Sequence, residues 1–515
     1  MKKFGGISKV FAVTACIIAI GLGIMYLKLT IPSGRELWRI SDKNLSNPIV
    51  VSDMLVFEGV KGEFSSQCEY IYAVDKNTGR ALWSSETFMD QYCNQSIGSV
   101  STAIILLSEK EDIIFVSSNY WTTDDEQEYI LYALSSSDGE LLWKVNGYAG
   151  YPYSDISLID YSLVETDYIY VVNKEGLFSA LDSSTGETVW QHDLASVDYD
   201  ADFRIEYNNQ TVYYYDLGNQ SLIAFDENDG SQLWEVSNLS NIYQVLFSDN
   251  SAFLVSWYDG YQNSDSSVIA LDTLTGNQIW KLSLKQDTAP WAEIKMNCLY
   301  VVTHGGESLF GDFKSLQSRC SLQIVNENTG CSLAVLNGDT GELMWQFNED
   351  YLHGNLIYLV QDNVAYIGTH DGSIFALDTQ TGKVIWQTAA SGAPFYFQIE
   401  KDYLIVVDEK NYVAAYDTAT GKQRWRLDVG MDISSYPRYS AVITHNGILY
   451  VAGAKKRNIS AIDLETGKKL WSWNHNHPRD KAYYFMALDD DILYVDQYRR
   501  FLGFDWFFAL RTKPD

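Results

Sequence analysis

The chain is poor in positive charge. Its 515 residues hold Lys+Arg 37 against Asp+Glu 67, a formal net charge of -30. A surface that acidic repels phosphate backbones, which argues against nucleic acid as a partner. Cysteine is sparse at 6 residues, and none stands in a C-x-x-C, C-x-x-C-H or zinc-ligand spacing. Haem attachment and zinc-finger chemistry therefore have no support. Proline is scarce too, at 8 residues. Disorder is excluded by a composition that is 46% hydrophobic and only 20% charged, enough to bury a core. The abundant residues are aromatic: Tyr 36, Phe 22 and Trp 15. Aromatic and β-branched side chains favour strands, so an all-β fold is the first expectation.

The N-terminus reads differently. Eighteen residues without a charge, from Val10 to Leu27, lie between Lys9 and Lys28. At ~1.5 Å per residue such a helix nearly spans a bilayer core. Lys2, Lys3 and Lys9 precede it and an acidic chain comes after it. The positive-inside rule then puts residues 1–9 in the cytoplasm, a single-pass anchor at 10–29, and residues 30–515 on the extracytoplasmic side. Met25-Tyr26-Leu27-Lys28 offers no small-residue cleavage site. Val13-Thr14-Ala15-Cys16 has the look of a lipoprotein acylation signal, but the apolar run continues well past Cys16. An anchor with an incidental cysteine is the preferred reading.

The rest of the chain repeats one pattern, Ala-x-Asp-x-x-Thr-Gly-x-x-x-Trp. Its tryptophans are Trp83, Trp143, Trp190, Trp234, Trp280, Trp345, Trp386, Trp425 and Trp471. The copy ending at Trp345 reads as slipped by one residue, with Ala334 ahead of Asn337. Self-similarity at 40 to 65 residues implies a propeller or solenoid. An apolar strand ends at Asp, Gly takes the positive-φ position of a tight turn, and the next strand returns with Trp. Two further strand-like runs precede each copy, so each unit is expected to be a four-stranded antiparallel blade. Gly34-Arg35-Glu36-Leu37-Trp38 opens the soluble region with no strand before it, and Phe508-Ala509-Leu510-Arg511 closes it with no Trp after it. Joined, the two fragments make a tenth, composite blade that shuts the ring and removes its sheet edges.

These repeats resemble the pyrroloquinoline-quinone-type β-propeller family over essentially residues 31–515. The resemblance implies that the ten tryptophans, Trp38 included, dock blade to blade. Eight blades are usual in that family, so ten is a departure and eight the competing count. The family holds quinoprotein alcohol dehydrogenases and a propeller lipoprotein of the outer-membrane β-barrel assembly machine. The dehydrogenase branch implies an adjacent-cysteine disulfide against the quinone, a calcium held by acids, and a catalytic Asp. This chain has no Cys-Cys pair and no acid motif that can be carried over. The assembly branch is the nearer one, and neither cofactor nor metal is expected.

With strands lettered A to D from the axis outward, B–C and D–A connections emerge on one face and carry nearly all the length variation. The longest insertions are 119–128, 258–267 and 304–330, with long D–A segments at 84–100 and 144–155. Loops on a rigid scaffold are the usual seat of function. The candidate binding face therefore comprises Trp121, Asp124, Asp125, Glu126, Trp257, Tyr258 and His304. Cys68 with Cys93 and Cys320 with Cys331 are candidate disulfides there, and an odd cysteine remains among the five beyond the anchor.

Catalytic patterns are weak. His304-Gly305-Gly306-Glu307-Ser308 has no Gly-x-Ser-x-Gly to accompany it. His475 and His477 lack a third ligand. Asp226-Glu227-Asn228-Asp229-Gly230 resembles a calcium loop but has Ser237 where the closing Glu belongs. His370-Asp371-Gly372 reads as a hairpin turn. The expected function is a membrane-anchored, extracytoplasmic, non-catalytic scaffold that binds envelope proteins. The alternatives are a quinone-dependent oxidoreductase with a diverged site, or a carbohydrate-binding sensor using its Trp- and Tyr-rich loops.

Overall fold

The computed structural model describes residues 36–42, 49–61, 68–85, 101–108, 112–121, 127–146, 167–173, 176–194, 203–216, 219–239, 242–256, 266–284, 288–295, 297–305, 331–349, 357–429, 442–453, 458–473, 483–489, 491–497 and 505–512. They form ten antiparallel sheets, nine of them with strands in sequence order, which are the blades of a ten-bladed propeller. Blades 1 to 9 span 49–84, 101–146, 168–193, 203–236, 242–283, 288–349, 357–389, 394–428 and 442–473. Nine of the ten sheets have four strands; blade 3 shows three, its innermost position falling outside the described residues. Ten blades, not the eight usual for the resembling family, is the observed number. The segment at 10–29 lies outside the described residues, and no helix among those described is long and apolar enough to cross a membrane.

Blade 10 is composite. Strands Tyr483–Asp489, Ile492–Gln497 and Asp505–Arg511 supply A to C, and Glu36–Asp42 supplies D. The seam between the two chain ends is a ladder running from Glu36 opposite Leu510 to Asp42 opposite Asp505. Lys76 of blade 1 reinforces it. Its carbonyl accepts the Tyr494 hydroxyl at 3.2 Å, and its ammonium lies 2.6 Å from Asp489. Phe507 packs edge-on against Phe57 of blade 1, with ring centroids 5.0 Å apart.

Every blade is tied to the next by one tryptophan. The Trp38 indole donates to the carbonyl of Lys76, Trp83 to Ser136, Trp143 to Ser183, Trp190 to Glu227 and Trp234 to Thr273. The series continues from Trp280 to Gly338, Trp345 to Thr379, Trp386 to Thr418, Trp425 to Leu464 and Trp471 to Thr512. Ten bonds of 2.6–3.0 Å close the circle. The acceptor in each case comes directly after the Asp position of the next blade's turn, or its replacement. Aromatic rings from the same blade's B strand flank several of the indoles, Tyr213 at 5.7 Å from Trp234 and Tyr450 at 5.9 Å from Trp471 among them.

Three other positions of the repeat serve this dock. Ala stands directly across the C–D ladder from Trp, as in Ala73 opposite Trp83 and Ala415 opposite Trp425. These alanines are fully buried, so a larger side chain would push into the next blade. In blade 6 the residue opposite Trp345 is Val335, and Ala334 pairs with Gln346. The repeat there carries a substitution, Ala to Val, rather than a slip. Glycine is required twice over: Gly421 has φ +68, and a Cβ on it would lie 2.4 Å from Cε3 of Trp386. The turn Asp holds the loop that presents the acceptor. Asp75 Oδ1 accepts the Asn77 and Thr78 amides and the Thr78 hydroxyl, and its carbonyl accepts the Gly79 amide. Asn337 replaces Asp in blade 6 and still accepts the amides of Asp339 and Thr340.

Between blades the apolar faces meet in clusters that span successive interfaces around the ring. Leu254 and Leu271 pack with Tyr213 and Trp234, Val407 and Trp425 with Leu449 and Ile462, and Leu55 and Phe57 with Trp38 and Phe507. The last of these closes the circle across the seam.

Deleting residues 34–41 strips blade 10 of its outer strand and exposes an edge. We expect a lower melting temperature or self-association by light scattering, and a monomer with an unchanged transition would disprove the latch. The docking glycines can be tested against a glycine that docks nothing. Gly447→Ala should cost about 1–2 kcal/mol, for φ +77 alone, because its nearest neighbour is the flexible Lys401 end. Gly421→Ala should cost about 1–3 kcal/mol more, from overpacking against Trp386; equal losses in urea titrations would disprove the stacking role. A third expectation concerns pH. The Thr hydroxyl, then the backbone amides, holds the carboxyls of Asp75, Asp378 and Asp463 below the usual range. Lowered in the fold, these groups stabilise fully above the unfolded carboxylate value of about 3.9 and lose that contribution as pH falls through the folded values. The stability gap between wild type and Thr466→Val should therefore narrow from pH 7 to pH 3. A constant gap would contradict it.

Candidate functional site

In each blade the A–B and C–D turns lie at one end of the strands and the B–C and D–A connections at the other. The tight-turn end is committed to docking, because the C–D turns present the acceptors for the tryptophans. The calcium-like run at 226–230 is one such turn: Asp226 Oδ1 accepts the Asn228 amide, and the Glu227 carbonyl accepts the Trp190 indole. It serves the ring.

The opposite end is uneven. Typical B and C strands have six residues, as in Tyr403–Asp408 and Tyr412–Asp417. In blade 2 they have nine, Ile113–Trp121 and Gln127–Ser135. Three extra residues at ~3.3 Å each carry that hairpin about 10 Å beyond a six-residue one. In blade 1, Met54–Lys61 and Cys68–Asp75 have eight, and blade 6 begins with the eight-residue pair Thr288–Lys295 and Cys298–Gly305. The rim of this face is thus raised at blades 1, 2 and 6.

Of the candidate residues from the sequence, Trp121 and His304 lie in strands that end on this rim. Trp121 ends the long blade 2 strand opposite Gln127, with Asn119 opposite Tyr129 and Tyr120 opposite Glu128. Half of the 119–128 insertion is therefore ladder, as suits Tyr and Trp, whose rings favour pleated surfaces. Asp124, Asp125 and Glu126 lie between its two strands, outside the described residues. His304 lies within a blade 6 strand, opposite Ala289, and the ladder there ends with Gly305 opposite Thr288. Trp257 and Tyr258 come directly after strand Ser251–Ser256 and lie outside the described residues. Cys68 and Cys331 open C strands at this same face, while Cys93 and Cys320 lie outside the described residues, as do His475 and His477.

Cys298 is a free thiol at the other end of the fold. It is buried, donates to the Met344 sulfur at 3.7 Å, and burial pushes its pKa up. That makes it a packing residue rather than a nucleophile. The turn at 369–373 is held internally: Asp371 accepts the Thr369 hydroxyl at 2.6 Å and the Ser373 amide at 2.8 Å. Among the described residues no group of three or more His, Cys, Asp or Glu side chains could hold a metal ion.

Two arrangements on the structure have no counterpart in the repeat. The inner strands are stitched by polar side chains. Gln244 of blade 5 donates to and accepts from the backbone of Ala292 in blade 6, at 2.9 and 3.1 Å. Arg204 donates to the Tyr243 carbonyl at 2.6 Å, and Gln398 to the Thr444 hydroxyl at 2.7 Å. These bonds join the inner strands of neighbouring blades. The second is a pair of cations, Lys410 and Arg426, that meet on Ser391. The only sequence signal for it is an Arg on each side of Trp425.

Comparison with known proteins matches the same repeats. A family model described as outer membrane protein assembly factor BamB matches residues 25–146, 126–297 and 391–498. The BamB of Burkholderia pseudomallei is 27% identical over 274 residues, covering 51% of this chain and 63% of that protein. A polyvinylalcohol dehydrogenase from a Pseudomonas species is 20% identical over 387 residues, covering 60% of each. The matched region thus spans about three-fifths of these two relatives' length. Among solved structures, the BamB of Moraxella catarrhalis aligns at 15% identity with a TM-score of 0.34, covering 69% of this chain and 96% of that one. The three family-model matches take in most of the blades, and on that ground the chain belongs to the outer membrane protein assembly factor BamB family of pyrroloquinoline-quinone-type propellers.

Proposed function

We propose that the protein is a non-catalytic scaffold, anchored in a membrane by residues 10–29, that holds its propeller (30–515) on the extracytoplasmic side and binds envelope proteins through the raised, loop-bearing face. The observation that carries this reading is the family-model match. Supporting it, one end of every described blade is occupied by the docking turns, which leaves the other end free for partners. Trp121, Asp124, Asp125, Glu126, Trp257, Tyr258 and His304 are the side chains proposed to make contact. Large aromatic side chains such as Trp and Tyr are common anchors for a protein partner.

A quinone-dependent oxidoreductase is the second reading, favoured by the match to polyvinylalcohol dehydrogenase. Against it, the sequence lacks the adjacent cysteines that the dehydrogenase branch would imply. The two readings separate experimentally. The full-length protein, tagged and purified from detergent-solubilised membranes, should bring down a reproducible set of envelope proteins. Replacing 306–330 by a Gly/Ser linker, or Trp121→Ala, should reduce that set with no change in melting temperature. Substrate-dependent dye reduction after adding quinone and calcium would instead establish the oxidoreductase.

A further inference from the structure

We infer that blade 8 carries a carboxylate-recognition site on the loop-bearing face, formed by Lys410, Arg426 and Ser391, which takes an acidic side chain of a partner protein; the inference rests on that face being a protein-binding one. The residue before the docking tryptophan is aliphatic in most blades, for example Leu82, Leu233, Ile279 and Leu470. Blade 8 instead flanks Trp425 with Arg424 and Arg426, both exposed. Their surroundings differ. Arg424 is neutralised by an ion pair with Asp417 of its own turn. Arg426 points the other way along the blade. Its guanidinium carbon sits 4.6 Å above the Tyr412 ring centroid, and Nη1 donates to the Ser391 hydroxyl.

Lys410 reaches the same residue from the B–C turn. Its ammonium donates to the Ser391 carbonyl at 2.6 Å. Ser391 belongs to the D–A connection between blades 7 and 8, so all three groups stand on the loop-bearing face. Two cations held against one serine repel each other, yet neither Lys410 nor Arg426 has a carboxylate within ion-pair distance among the described residues. This occurs in a chain with 30 more acidic than basic residues, where a nearby acid would be the ordinary solution.

Asp408 is buried beside the pair, and it builds the site rather than neutralising it. Its Oδ2 accepts the Ser391 amide at 3.1 Å, and its Oδ1 accepts the amides of Lys410 and Tyr412 at 3.0 and 3.1 Å. One carboxylate thereby fixes the D–A connection against the B–C turn and sets where Lys410 leaves the backbone. Stacking on Tyr412 does the same for the Arg426 plane. The site is therefore organised before a ligand arrives, which lowers the ordering cost of binding. The ligand's charge is limited by the same neighbours. Lys410 and Arg426 carry two positive charges, and three acids stand close by: Asp408, the exposed Glu409, and the exposed Asp428 opposite Tyr412. A single carboxylate, taking charge-assisted hydrogen bonds from both cations, adds the least negative charge to such a setting. A dianionic phosphate would face the three acids.

The test uses the purified full-length protein in detergent at about 0.15 M salt, where long-range repulsion is screened. The probe is a fluorescein-labelled Gly/Ser peptide carrying paired glutamates, with its glutamine counterpart and inorganic phosphate as competitors. Anisotropy should show binding of the glutamate peptide alone. Arg426→Gln and Lys410→Gln should each weaken it roughly tenfold or more, the effect of losing one charged hydrogen bond, while Arg424→Gln should leave it unchanged. Equal binding of the glutamine peptide, displacement by millimolar phosphate, or an equal loss in Arg424→Gln would each overturn the site. Failure of the peptide titration with co-purification of envelope proteins intact overturns this site alone; failure of both overturns the scaffold reading as well.

Discussion

The indole-to-carbonyl bond between neighbouring blades is the constraint on which the rest of the structure depends. A lone four-stranded blade has two apolar faces and an outer edge, and cannot bury either face by itself. Trp solves this at the outer strand, where burial would otherwise be thinnest. Its ring removes roughly 150–250 Å² from water, about 4–6 kcal/mol by area and an upper bound. Its N–H would cost about 1–3 kcal/mol if buried unpaired, so the acceptor has to stand where the next blade's turn places it. That single requirement accounts for Ala across the ladder, Gly under the ring and Asp at the start of the turn. The repeat is a description of one joint.

A ring of such joints has to close, and closure is where this chain departs from its own pattern. The turn that receives Trp471 is formed at the chain's far end, with Arg511 where most other blades have Asp and Thr512 supplying the carbonyl. No covalent C–D turn connects that strand to Glu36–Asp42. The six paired positions of the ladder, the Lys76 bonds and the Phe507–Phe57 contact take over its role. Blade 10 is also rich in rings: Trp473 of blade 9 packs edge-on against Phe508 at 5.1 Å, and Tyr494 stacks on Phe507 at 6.0 Å. A non-covalent joint loses the entropic help of a short loop, and added aromatic burial is a direct way to offset it.

The architecture is legible in the sequence because the joint is encoded in residues four apart or closer. Asp, Thr, Gly and Trp lie within one hairpin, so composition and spacing reveal the blades, their number and even the composite tenth. Val335 is easily misread for a related reason: a pattern anchored on Ala shifts to Ala334, whereas the ladder counts positions from Trp345. The binding face is less legible. Its insertions can be located by length, but whether 119–128 is loop or strand turns on pairing between two segments, which no local pattern reports. The cation pair is harder still. Ser391, Lys410 and Arg426 belong to three different connections or strands, and Asp408, which organises them, looks like any other strand-terminal acid.

The division of labour between the two faces follows from the joint as well. Each C–D turn must keep its backbone shape to present a carbonyl to a neighbour's indole, so its residues have little freedom to acquire another role. Asp226 and its neighbours, for all their likeness to a calcium loop, are held by that duty. The B–C and D–A connections bear no such load. They can lengthen, as in blades 1, 2 and 6, or collect charges against the chain's overall sign, as in blade 8, without loosening the ring. A propeller held together at one end of its blades is thereby free to diversify at the other. The acidic charge of the whole then sets the background against which a partner is recognised: it repels anionic surfaces at long range, and only a local exception such as Lys410 with Arg426 can receive an acidic group at contact.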